Sequence, residues 1–338
     1  MLLAPESPGS CGVLDYSRRL AAALKEQGVA VTLARGIRND RLSLRELRAE
    51  LRARRPELLH IQYPMARYGA SLLPLVAAWL PGMRTLVTLH EFSQAHPLRR
   101  VAALAFSRAA LVFTTEQEEQ AYRRWYPWSR GRTQVIPLGS NIPWLADGGK
   151  RDLDAVCYFG QLRPQRGLEA FIELARLAQR QAPQLRFQVL GAVPAGREDY
   201  CRALRESAAD LRQLGWALES GDAAVAQRLA ATGFVYLPYP DGASGRRGSL
   251  LAALGNGALV ITTRGAQTPP ELSGAVRFAN SPVDALAEIA TLRGDPEAQN
   301  RQRAAARAWS RVHQWSAIAD AHRLLYRRLT ADASCSEE

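Results

Sequence analysis

The chain has 338 residues, 47% of them hydrophobic and 22% charged, with a formal net charge of +12. That length suits about two domains at roughly 150 residues each. No run reaches the ~18–20 apolar residues of a membrane span. The four cysteines, Cys11, Cys157, Cys201 and Cys335, are widely spaced, which argues against a disulfide framework and against zinc. Met1 leads into Leu2-Leu3-Ala4-Pro5 without a basic segment ahead of a long apolar core, so no signal peptide is expected. Residues 1–150 hold 21 basic against 12 acidic residues, +9, whereas residues 151–338 hold 23 against 20, +3. A field concentrated in the first half suits anionic lipid, nucleic acid or a phosphorylated substrate.

In chain order, Leu2-Leu3-Ala4 is a short first strand, followed by a loop from Pro5 to Gly12. An amphipathic helix is expected over Val13–Gln27 with Gly28 as its stop, then a strand over Val29–Leu33. Ser43 opens a basic helix to Arg55, with Glu46 three residues on as a capping box. Strands follow at Leu58–Tyr63, Leu86–His90, Ala110–Thr114 and Thr133–Pro137, with helices between. Asp147-Gly148-Gly149-Lys150 reads as the linker, and Asp152-Leu153-Asp154 beside it as solvated linker. The alternation then restarts. Strands are expected at Val156–Phe159, Arg186–Leu190, Phe234–Leu237, Leu259–Thr262 and Val276–Phe278. Helices are expected at about 197–213, 222–231, 249–255, 283–292 and 296–309, and from Trp315 to Leu329 before a polar tail. Alternating strands and helices imply parallel sheets covered on both faces, so the fold class is α/β with two doubly wound domains.

The turn Gly160–Gly167 carries Arg163 and Arg166 immediately before a helix that begins at Leu168. Cations are disfavoured at a helix start, whereas backbone N–H groups and guanidinium forks there suit a phosphate. A solvated turn partly neutralised by Glu169 is the competing reading. Four other segments fall at strand ends, where such sheets gather ligands: Pro8 to Val13, His90-Glu91-Phe92, Pro137 to Asn141, and Asp241 to Ser249.

Together and in this order these segments resemble family 4 glycosyltransferases of the GT-B fold. The resemblance is carried by GSCGVLDYSRRLAAALKEQG, ELLHIQYP, TLHE, VIPLGSNIP, FGQLRPQRGLEAFIELA and LPYPDGASGRRGSLLAALGNGALVITT. It covers nearly the whole chain. It implies two Rossmann-like domains facing a central cleft: an acceptor-binding domain over 1–147, a donor domain over 151–312, and a final helix over 313–330 that crosses back. It also implies transfer of a sugar, with retention, from a nucleotide-diphosphate donor to a glycan, lipid-linked or small-molecule acceptor, with no metal and no other cofactor. His90 and Asp241 match catalytic positions. Gly12, Gly139, Arg163, Arg166, Arg246, Arg247 and Ser249 match or replace donor-binding positions, and Glu91 is placed near the acceptor. Two departures stand out. Gln161 occupies a position where the family commonly has arginine, and neither Ser249 nor Ala252 supplies the family's second, ribose-binding glutamate.

The basic first half suggests a membrane-proximal acceptor, and Arg45, Arg48, Arg52 and Arg55 form a candidate membrane-facing stripe on one helix, with a solvated face as the alternative. The expected location is cytoplasmic, peripheral at the inner face of the membrane. No basic–aromatic motif supports nucleic acid. A nucleotide-sugar epimerase, a phosphorylase and a non-catalytic binding protein, sugar- or nucleic-acid-directed, on the same fold are the other readings.

Overall fold

The computed structural model describes residues 1–4, 12–34, 37–38, 41–65, 68–69, 71–93, 95–129, 131–145 and 149–331. The loop expected from Pro5 to Cys11, the Asp147-Gly148 half of the linker, the polar tail, Cys11 and Cys335 lie outside the described residues. The chain divides into two compact units, Met1–Gly139 with His313–Glu338, and Ser140–Val312.

The first unit runs β1 (Leu2–Leu3), α1 (Gly12–Glu26), β2 (Leu33–Ala34), β3 (Ile37–Arg38), β4 (Arg41–Leu42), α2 (Leu44–Arg54), β5 (Leu58–Tyr63), α3 (Leu73–Ala77), β6 (Arg84–Leu89), α4 (Pro97–Ala102), β7 (Ala110–Phe113), α5 (Glu116–Trp125) and β8 (Thr133–Val135). A parallel six-stranded sheet has the order β2-β1-β5-β6-β7-β8, and β3 and β4 form a separate antiparallel pair. Ser43 caps α2 by accepting the Glu46 N–H at 3.4 Å, half of the capping box read from the sequence. The strand expected over Val29–Leu33 is displaced to Leu33–Ala34. It lies at the sheet edge, where Leu33 and Ala34 pair with Leu2 and Leu3 of β1, so apolar character alone does not place it.

The second unit runs β9 (Asp152–Gln161), α6 (Leu168–Gln181), β10 (Arg186–Ala192), α7 (Glu198–Ser207), β11 (Leu214–Leu218), α8 (Asp222–Ala231), β12 (Thr232–Leu237), α9 (Gly248–Gly255), β13 (Leu259–Thr262), β14 (Arg277–Phe278), α10 (Pro282–Gly294) and α11 (Pro296–Ser310). Its parallel sheet has the order β11-β10-β9-β12-β13-β14. Every residue of β12 and β13 is buried, as in a sheet covered on both faces. On α6 the buried residues Leu168, Phe171, Ile172, Ala175 and Ala178 recur at helical spacing, and each large one contributes about 1.5–3 kcal/mol by leaving water.

Two expectations fail in this unit. Asp152 and Asp154 are not linker: they open β9, Asp152 pairing with Arg186 and Asp154 with Arg293. The helix expected to reach residue 213 ends at Ser207, and β11 follows it. The apolar residues Ala208, Leu211 and Leu214 keep a three-residue spacing that imitates a helix, although Leu214 already pairs with Phe187 of β10.

The last helix, α12 (Trp315–Ala331), belongs to the first unit. Its Ile318 and Leu325 share a core with Tyr16, Leu20 and Leu24 of α1. Gln27 donates to the Ser316 carbonyl at 2.9 Å, Arg84 to the Thr330 carbonyl at 3.1 Å, and Arg328 to the Gln134 side-chain oxygen at 2.8 Å.

Candidate active site

In the second unit the strand order reverses between β9 and β12. Open parallel sheets bind ligands at the carboxyl ends of the two strands flanking such a reversal. The loops there are 162–167 and 238–247. Gly167 stands at the start of α6 with φ 81°, and a Cβ on it would collide with the Pro238 carbonyl oxygen, so the two loops touch through a position only glycine fills.

The main chain of the first loop is pinned. The Leu162 N–H donates to the Ala192 carbonyl at 3.0 Å, and the Tyr158 hydroxyl donates to the Arg166 carbonyl at 3.1 Å. The charged groups are not consumed in that bracing. Arg163 forms no ion pair among the described residues, and its Nε is buried without a hydrogen-bond partner. A buried unpaired donor costs about 1–3 kcal/mol, which an anion in this loop would offset. No side chain caps α6 either, so its first N–H groups remain available to the same anion.

The second loop brings three predicted residues into one cluster. The Arg247 guanidinium lies 4.7 Å from the centroid of the Tyr239 ring and pairs with the Asp241 carboxylate. The Tyr239 hydroxyl and Ser249 Oγ are 2.7 Å apart. Arg247 is mostly covered, with 16% of its side chain exposed, whereas Asp241 is 70% exposed. Sequence reasoning treated Asp241 and Arg247 as independent groups, and the structure joins them. It missed Tyr239, on which the cluster is assembled; burial pushes that phenol well above its usual range. Thr263 bonds the Tyr239 carbonyl and Thr268 the Ala243 carbonyl, the latter at 2.8 Å, which holds the loop. Arg246 is half-buried beside them.

In the first unit the order reverses between β1 and β5. Gly12 opens α1 and is exposed, and a Cβ there would meet nothing within 4 Å. Gly139 has a packing reason to lack a side chain: a Cβ would lie 2.6 Å from the Trp315 indole.

His90 follows β6 and is 6% exposed. Its ring meets Tyr16 edge-on at 5.1 Å, and its Nε2 lies 2.9 Å from Gln62 Oε1. Gln62 Nε2 in turn lies 2.9 Å from His60 Nε2, which is also 2.7 Å from Thr88 Oγ1. His60 Nδ1 lies 2.7 Å from the Tyr326 hydroxyl. An amide nitrogen only donates, so His60 Nε2 accepts and its Nδ1–H donates to Tyr326, while His90 Nε2–H donates to Gln62; these tautomers follow from the network. Burial lowers the His60 pKa well below the usual imidazole value, with the neighbouring His322 a smaller cause. His322 stacks on His60 at 5.5 Å and is lowered to about 4, again by burial. His60, which carried no support from the sequence, is thus linked to His90 through one glutamine. His60 and Gln62 share one face of β5 by strand alternation, but the bond from His60 to Tyr326, 266 residues away, has no local signal.

Glu91 is exposed and lines a small pocket with Tyr63, Phe92 and Arg99. The segment after it is braced by Glu118, whose carboxylate accepts the Ser93 N–H at 2.7 Å and the Ser93 hydroxyl at 2.6 Å. Among the described residues no group of three or more His, Cys, Asp or Glu is placed to hold a metal ion, and no helix is long and apolar enough to cross a membrane.

The structure resembles HepE from Anabaena solved with UDP and glucose, at 16% identity over 96% of this chain and 98% of that one, with a TM-score of 0.65. It also resembles a glycosyltransferase from Rickettsia africae, at 11% identity over 97% of each chain and a TM-score of 0.77. A third similar structure is sucrose-phosphate synthase from Thermosynechococcus elongatus, at 17% identity over 98% of each chain and a TM-score of 0.68. The chain has the GT-B fold. By sequence it matches no protein-family profile and no curated protein.

Proposed function

We propose that this chain is a retaining glycosyltransferase of the family 4 type, moving a sugar from a nucleotide-diphosphate donor to a glycan, lipid-linked or small-molecule acceptor. One observation carries the reading: an unpartnered arginine Nε in the loop that leads into the uncapped start of α6, beside the reversal of strand order in the second unit. Departure of a nucleoside diphosphate builds negative charge on its outer phosphate. Fixed guanidinium groups and helix N–H groups stabilise that charge more in the transition state than in the ground state. Arg163 and Arg166 take this role. Ser249, Arg246 and Arg247 bind further donor oxygens, and Asp241 accepts hydroxyls of the donor sugar. HepE was solved with UDP, which supports testing uridine donors first.

In the first unit His90 is assigned to stabilising charge near the reacting carbon, and Glu91 to the acceptor. Donor roles for Gly12 and Gly139 rest on their motifs alone. The reaction is written without a metal or other cofactor. The excess positive charge of residues 1–150 supports an acceptor held at the inner face of a cytoplasmic membrane.

Thermal shift and calorimetry against UDP, GDP, ADP and dTDP sugars test the core of this reading. Binding of one nucleotide class, weakened in Arg163→Gln, is expected. Absence of binding by the wild type to all four removes it.

A second reading, a non-catalytic sugar-nucleotide binder, is favoured by the Asp241–Arg247 ion pair and by the missing second glutamate. Tight donor binding with neither hydrolysis nor transfer would select it.

A further inference from the structure

We infer that the first unit carries a surface that seats on an anionic lipid bilayer, built from α3, α4, the 3-10 turn Ala103–Phe106 and the end of α5. Eight of the twelve exposed large apolar side chains among the described residues fall between Leu72 and Trp128. Single exposed apolar residues need no explanation, but a cluster does. On α4 no residue is buried, and Leu98 and Val101 are 74% and 56% exposed.

The cluster is continuous. The Trp79 indole donates to the Ala105 carbonyl, tying the end of α3 to the 3-10 turn, and the Arg108 guanidinium lies 4.4 Å from the centre of the same indole. From the other side, the Tyr126 hydroxyl donates to the Arg100 carbonyl at 2.6 Å, and Trp128 meets the Tyr126 ring at 5.6 Å. The Arg100 guanidinium sits 5.7 Å from the Trp125 ring, and Arg132 donates to the Ser107 carbonyl at 2.9 Å.

Charge decides the occupant. From residue 92 to 115, the stretch that holds α4 and the 3-10 turn, the sequence has three arginines, Arg99, Arg100 and Arg108, and no acidic residue. Exposed indoles and leucines fringed by arginine match the apolar edge and the anionic headgroups of a bilayer without needing a shaped counterpart. The α2 stripe differs. Arg45, Arg48, Arg52 and Arg55 are exposed, but Leu47 and Leu51 on the same helix are buried, so α2 offers attraction and nothing to insert. Arg99 and Ala103 line the pocket that Glu91 also lines, so the proposed surface borders the residue assigned to the acceptor.

The inference rests on the membrane-proximal acceptor reading for its purpose, and donor binding and donor hydrolysis measured without vesicles report on the glycosyltransferase reading separately. The test is co-sedimentation of the full chain with vesicles of phosphatidylcholine alone or mixed with phosphatidylglycerol, together with light scattering for mass. Binding to the anionic vesicles that falls steeply with salt is expected. A drop of tenfold or more is expected in Leu98→Ser/Trp128→Ala and in Arg99→Glu/Arg108→Glu, with melting temperature and donor affinity unchanged. Failure of the wild type to bind, equal binding to both vesicle types, or undiminished binding by both variants overturns the inference. Self-association lost in Leu98→Ser/Trp128→Ala, without vesicle binding, would assign the surface to a second copy of the chain.

Discussion

Gly167 rests against the main-chain carbonyl of Pro238 so closely that residue 167 has no room for a Cβ. That contact sets the loop after β9 against the loop after β12 and aims the start of α6 at the space beside them. Gly167→Ala combines a φ of 81° with the collision, and is expected to destabilise the protein by about 3 kcal/mol or more and to abolish nucleotide-dependent thermal shifts. Gly12→Ala is the contrast, because the space around it is open. Its stability should stay within about 0.5 kcal/mol of wild type. Any loss of ligand affinity in that variant therefore reports direct contact. Urea denaturation and calorimetry measure both.

Arg163→Gln keeps a polar side chain and removes the charge. A hydrogen bond to a charged group is worth about 1.5–3 kcal/mol, so the donor Kd should rise roughly 10- to 100-fold. Inorganic diphosphate should show the same loss, which places the contact on the phosphates.

The Asp241–Arg247 pair is half in solvent, and exposed pairs contribute about 0–1 kcal/mol. Asp241→Asn should leave the denaturation midpoint nearly unchanged. If Asp241 holds the donor sugar during transfer, kcat falls on the order of 100-fold while nucleotide affinity is kept. Arg247→Ala should instead weaken donor binding. Steady-state kinetics with both variants separates the two roles.

Tyr326→Phe removes the acceptor of the Nδ1–H of His60, a side chain that is itself buried. The expected cost is about 1–3 kcal/mol in chemical denaturation. Donor affinity should be unaffected, because the arginine-bearing donor loops 162–167 and 238–247 belong to the other unit.

Stability should fall in mild acid. The folded protein keeps His322 neutral down to about pH 4, while the unfolded chain takes up a proton there below about 6.5. Between those values the unfolded state binds more protons, so stability is complete above about 6.5 and declines as pH drops toward 4. His322 alone should account for about 2 kcal/mol between pH 7.5 and 5. His60 is shifted in the same direction and adds to the loss. Urea midpoints at the two pH values check this, and the difference should shrink in His322→Leu.

Elements with a strong local signal were legible without coordinates. Leu58–Tyr63, Leu259–Thr262 and the helix over 222–231 appear with the expected bounds. Apolar runs of strand length and helical spacing between stop residues express burial that any α/β packing would impose. Ser43 with Glu46 likewise marks a helix start by chemistry confined to four residues. The edge strand β2 was misplaced and the strand β11 was missed because pairing with a neighbour, rather than local composition, ends the first and creates the second.

The sequence by itself determined that two doubly wound units follow one another and that Arg163 and Arg166 stand at a helix start, because strand, turn and helix there are contiguous. Only the tertiary structure decided that Arg163 keeps an unpartnered Nε, that Arg247 is paired to Asp241 over Tyr239, and that His90 is joined through Gln62 to His60 and Tyr326. His60 and His90 take partners from segments far away in sequence, and even the Asp241–Arg247 pair, six residues apart, depends on how its loop is folded. Periodicity and spacing record which face a residue takes, but not what waits on the other side of the core.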